Sequence, residues 1–105
     1  MSAPTQQQVA EAAARYCATE FTTFTSWFSY EDELARELMK DDQFRCAVDY
    51  ATKQVMTMIS YNKTMSVTAA QHGGGARGIA VVVGHIVGEW LAGKTTTIDQ
   101  ELMTW

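Results

Sequence analysis

Chain breakers are distributed very unevenly along this sequence. Apart from Pro4, the first 72 residues contain neither proline nor glycine, whereas all seven glycines fall between Gly73 and Gly93. A segment without breakers can run in long helices, because each interior proline or glycine would cost roughly 3 or 1 kcal/mol relative to alanine. The 105 residues, of which 47% are hydrophobic, suit one domain with one core. The expected architecture is all-α: a bundle of three to four helices with a Gly-rich loop before the last long helix, spanning residues 1–105 as a single domain.

Periodicity and capping chemistry place those helices. Thr5-Gln-Gln-Gln8 has the form of a capping box, so a first helix is expected from about Gln6. Its apolar positions Val9, Ala13, Tyr16/Cys17, Phe21, Phe24 and Trp27/Phe28 follow helical spacing, and its Ala-rich first half would let another helix come close. Ser29-Tyr-Glu-Asp32 signals a short second helix to about Met39 or Lys40, with Asp41-Asp42 either capping a new helix or lying inside a continuous one. Phe44, Ala47, Val48, Ala51, Val55, Met58, Ile59 and Asn62 then recur at three and four residues, predicting a helix from about Gln43 to Lys63. Ser66 to Gln71 is compatible with a further helix start, and His72-Gly-Gly-Gly75 with a hinge or loop. Ile79 to Val83 is β-branched enough for a strand, but no other segment alternates to pair with it, so a helix is expected. Within it Ala80, Gly84, Gly88 and Ala92 form one stripe of small residues, a pattern that lets two helix backbones approach closely.

Several local patterns suggest chemistry. Gly88-Glu-Trp-Leu-Ala-Gly-Lys-Thr95 matches the phosphate-loop spacing, yet it places a carboxylate and an indole where backbone amides would cradle an anion. A helix ending at Gly93 explains the same residues, with Lys94 suiting the negative end of the dipole. His72-Gly-Gly-Gly75 has the form of an oxyanion run, but no G-x-S-x-G nucleophile turn accompanies it. Cys17, Cys46, His72 and His85 are residue types that zinc accepts, though each arrives singly from a different segment. No catalytic motif stands out, and no enzyme activity, metal or cofactor is expected. The N-terminal stretch lacks a basic start with an unbroken apolar core, and Ile79 to Ala92 is shorter than the ~20 residues of a membrane span. A cytoplasmic, reduced protein without a membrane helix or a disulfide is the expectation.

Charge is the most informative feature for partners. Residues 31–49 hold seven acids (Glu31, Asp32, Glu33, Glu37, Asp41, Asp42 and Asp49) against three bases (Arg36, Lys40 and Arg45); the remaining acids and bases balance, so the net −4 resides in this segment. Helix-start chemistry accounts for part of it. The rest suits a protein partner with a basic surface, and direct nucleic-acid binding is not expected. Glu31, Asp32, Glu33, Glu37, Asp41 and Asp42 are the partner-binding candidates, joined by Trp27 and Phe28, which as neighbours cannot both occupy the centre of one buried stripe. In size and charge alone the chain is similar to small acidic inhibitors of host machinery carried by phages and mobile elements, including anti-CRISPR proteins and DNA mimics. That resemblance implies an inhibitor or adaptor; separately, the apolar helix faces are compatible with a homodimer. The competing expectations are a structural homo-oligomer and a small metal-dependent enzyme.

Overall fold

A computed structural model describes residues 8–10, 12–14, 17, 37–38 and 40–105. Its described residues are helical with no strand, as the distribution of breakers predicts. Four helices lie wholly within them: α1 (Asp42–Met58), α2 (Lys63–Gln71), α3 (Gly75–Leu91) and α4 (Ile98–Met103). Residues 8–10, 12–14 and 17 form part of an N-terminal helical segment, and residues 37, 38 and 40 are also helical. The remainder of the first helix, including the aromatic run from Phe21 to Phe28, lies outside the described residues.

α3 is the hub. Gly78, Ala80, Val82, Val83, Gly84, Ile86, Val87 and Gly88 are all buried, which leaves little of its circumference to water and marks it as a central helix. α1, α2 and α4 all pack on it. α1 contributes Phe44, Ala47, Val48, Ala51, Thr52 and Val55. The N-terminal segment contributes Val9, Ala12, Ala13, Ala14 and Cys17, and Thr52 Oγ1 lies 3.2 Å from Cys17 Sγ, tying it to α1.

Two predicted boundaries need correction. The helix expected from about Gln43 to Lys63 is interrupted: α1 ends at Met58, and Asn62 is the N-cap of α2, its side chain accepting a hydrogen bond from Met65 N at 3.1 Å. Asn62 therefore does not continue the apolar face. A short polar side chain that can bond the backbone locally favours a helix start over a helix interior. For the same reason α2 begins at Lys63, before Ser66. Asp41, left open between two roles, is the N-cap of α1. Ala92, the last member of the small-residue stripe, is the exposed C-cap of α3 and lies outside its buried face.

The triple glycine has a conformational cause. Gly73, Gly74 and Gly75 adopt φ of 107°, 68° and 54°, a left-handed run that residues with a Cβ rarely enter. The first two close α2: Gly73 N donates to Ala70 O at 3.2 Å and Gly74 N to Ala69 O at 2.8 Å, the paired bonds of a Schellman ending. The chain then reverses so tightly that a Cβ on Gly78 would stand 2.4 Å from Ala69 O. The small-residue stripe works in the same way at Gly84, where a Cβ would meet Ala10 O at 2.5 Å and Ala14 Cβ at 3.2 Å. The Ala-rich half of the N-terminal segment thus rests on the glycine stripe of α3.

Gly84→Ala and Gly78→Ala should each lower the urea-denaturation stability by about 1–3 kcal/mol, although alanine by propensity would raise it by up to ~1 kcal/mol inside a helix. Unchanged or increased midpoints would show that the backbones do not meet there.

Candidate functional site

Of the described acids in the acidic segment, Glu37, Asp41 and Asp42 sit at the entrance to α1, and Asp49 lies half-buried within it. Asp41 Oδ1 accepts from Phe44 N at 3.1 Å, satisfying an amide that the first helical turn leaves unpaired. Asp42 is ion-paired with Arg45, and Glu37 lies 3.4 Å from Lys40 Nζ. All three acids are exposed, with the Asp42 and Glu37 side chains retaining 89% and 57% of their accessible surface. Exposed i,i+3 pairs of this kind contribute about 0–1 kcal/mol, so Asp42 and Glu37 remain open to a partner while Asp41 is committed to the helix. Glu31, Asp32, Glu33, Trp27 and Phe28 lie outside the described residues.

The two glycine motifs have structural uses. In Gly88–Thr95 the residues up to Leu91 belong to α3, Gly93 takes φ 82°, and Gly93 N and Lys94 N donate to Trp90 O and Glu89 O at 3.0 and 3.2 Å. This is a second Schellman ending, preceded by helix where a phosphate cradle would need a strand. Lys94 Nζ lies 3.8 Å from Glu89. At His72-Gly-Gly-Gly75 the amides of Gly73 and Gly74 are already engaged by α2, so they do not offer an oxyanion hole.

The cysteines and histidines do not converge as one set. Cys17 is buried and Cys46 exposed, with no disulfide between them. The His72 and His85 rings are neighbours, 6.1 Å between centroids, and His85 is 6.5 Å from the Trp105 ring. Among the described residues, no group of three or more His, Cys, Asp or Glu side chains is placed to hold a metal ion. None of their helices is long and apolar enough to cross a membrane.

Sequence reasoning missed α4 and the carboxyl group it buries. Thr97 caps α4, accepting from Gln100 N at 3.1 Å, while Gln100 Oε1 accepts from Thr96 N at 3.0 Å. Thr97-Ile-Asp-Gln100 is a capping-box spacing, and Ile98, Glu101, Leu102 and Trp105 follow helical periodicity; both signals were legible. Along that stripe Glu101 is only 2% exposed. Thr95 Oγ1 lies 3.4 Å from its Oε2 and 3.2 Å from Thr97 O, so one hydroxyl hydrogen serves two acceptors. Oε1 is buried with no donor among the described residues.

Burial, followed by hydrogen bonding and charge repulsion from Glu89, pushes the Glu101 carboxyl up from 4.5 to about 7, against the opposing effects of Thr95 and the Trp105 side chain. A protonated Glu101 carboxyl can itself donate toward Glu89, an interaction that the ionised form cannot make. Because the folded-state value is raised, the associated stability is fully present below about 4.5 and is lost as pH rises through about 7. Nearby, the Tyr50 hydroxyl donates to Asp99 on the exposed side of α4, a bond that raises its proton affinity.

The described residues thus define a small all-α domain with an acidic helix entrance and a buried carboxyl contact at its last helix. No protein-family model, curated protein or solved structure matches the chain.

Asp41→Ala should cost about 1 kcal/mol through loss of the cap, whereas Glu37→Gln should change thermal stability by less than roughly 0.5 kcal/mol. Equal losses for the two variants would contradict the separation between a structural and an available carboxylate.

Proposed function

We propose that the protein is a non-catalytic binding domain whose acidic segment engages the basic surface of a protein partner. The observation that carries this reading is the placement of charge: the whole net −4 belongs to residues 31–49, and of the described acids there Glu37, Asp41 and Asp42 are each exposed near one helix entrance, while Asp49 is half-buried in α1. A concentrated anionic patch speeds encounter with a cationic surface and disfavours anionic competitors. Helix capping uses Asp41 but leaves Glu37 and Asp42 available. An inhibitor or adaptor that occupies the basic site of a larger machine would use such a patch in this way.

Reversing Glu33, Glu37 and Asp42 to lysine, with Asp41 kept as the cap, should abolish partner capture from a lysate of the source organism or its host. Circular dichroism should remain helical. Capture by wild-type protein should weaken as salt rises, because screening shortens the reach of exposed charges to about 8 Å at physiological ionic strength. Undiminished capture by the reversed protein would remove the acidic segment from the interaction.

A further inference from the structure

We propose that the contact between Glu89 on α3 and Glu101 on α4 is a proton-operated latch: with a proton in the contact α4 stays docked on α3, and without it the segment from Thr95 to Trp105 loosens.

The dependence of α4 on tertiary contacts follows from its length. Six residues are far below the roughly 12–15 needed for a marginally stable isolated helix. Its docking rests on Ile98, Glu101 and Leu102, with Trp105 partly buried beyond them. Two of the buried groups are apolar and contribute at any pH. Glu101 is different, because a carboxylate at 2% exposure has lost its water and, among the described residues, has only the shared Thr95 hydroxyl and the Trp105 side chain in return.

Among the described residues no cation pairs with Glu101 itself. α3 presents Glu89, a like charge, and His85 beside Trp105. The linking segment presents Lys94, which pairs with Glu89 at 3.8 Å and remains largely in solvent. α1 presents Tyr50, whose hydroxyl is occupied by Asp99 of α4. Ionising Glu101 therefore creates two facing carboxylates, one of them without water. A proton on Glu101 removes the repulsion and lets its own carboxyl donate toward Glu89. The elevation of the Glu101 carboxyl to about 7 places the transition in the neutral range, where modest changes of pH shift the population.

Hydrogen exchange of the full chain at about pH 5.5 and about pH 8.5, corrected for the intrinsic base-catalysed rate, tests the latch. Amides of residues 98–104 should lose protection roughly tenfold or more at the higher pH, while those of residues 80–87 in α3 keep theirs. Glu101→Gln, a neutral near-isostere, should hold residues 98–104 protected at both pH values, and Glu89→Gln should move the transition of Glu101 to lower pH. A Glu101→Gln protein with the wild-type pH response, or a wild-type protein with no response, would overturn the proposal. If that variant does not fold, carbon-13 titration of the wild-type Glu101 carboxyl decides: a midpoint near 7 supports the latch, and one at the ordinary 4.5 overturns it. Magnesium or calcium chloride added at the higher pH should leave exchange unchanged; restored protection would assign the contact to a divalent cation instead of a proton.

Discussion

The bundle depends on how closely α3 can be approached. At Gly84 the N-terminal segment comes near enough for its Ala10 carbonyl to occupy the space of a side chain, and at Gly78 the Ala69 carbonyl does the same from α2. Close packing of backbones replaces the large interdigitating side chains of a typical bundle, which is why the core is rich in Ala and Val. Such a core gains many short-range dispersion contacts but tolerates little added volume. The remaining helices are arranged around that constraint.

Helix ends are specified with equal economy. Asp41, Asn62 and Thr97 each accept a hydrogen bond from an amide of the turn that follows, and Gly73 and Gly93 each close a helix in a left-handed conformation. These residues decide where the chain turns, and hence which faces meet. At Gly73–Gly75 three consecutive left-handed residues set the tight reversal that brings α2 back along α3. The motif that looks like a phosphate loop belongs to the same system: its second glycine and lysine complete the end of α3, and its first glycine lies in the buried face.

The candidate sites differ in how legible they were. The acidic segment could be read from composition, since charge needs no partner to be counted, but composition could not separate Asp41, which caps α1, from Asp42 and Glu37, which face solvent. The buried carboxyl contact lay hidden because Glu89 and Glu101 are twelve positions apart on different helices. Each looks like an ordinary surface acid, although the stripe of Ile98, Glu101, Leu102 and Trp105 carried a signal that Glu101 faces inward. Only docking of α4 determines that its carboxyl meets another carboxyl instead of water.

The all-α class, the helical face of α1, the reversal at the triple glycine and the end of α3 were determined by the amino-acid sequence itself. They rest on local physics: side-chain periodicity, backbone freedom at glycine and hydrogen bonds within a few residues. The break at Asn62 obeys local physics too, but there a local cap overrides a continuing apolar rhythm. Tertiary structure alone decided that the alanines near Ala10 seat on Gly84, that His72 lies beside His85, and that Glu101 is stripped of water against Glu89. Those outcomes require residues distant in the chain to meet in one geometry, and the periodicity of a single helix specifies which face is buried without specifying what lies against it.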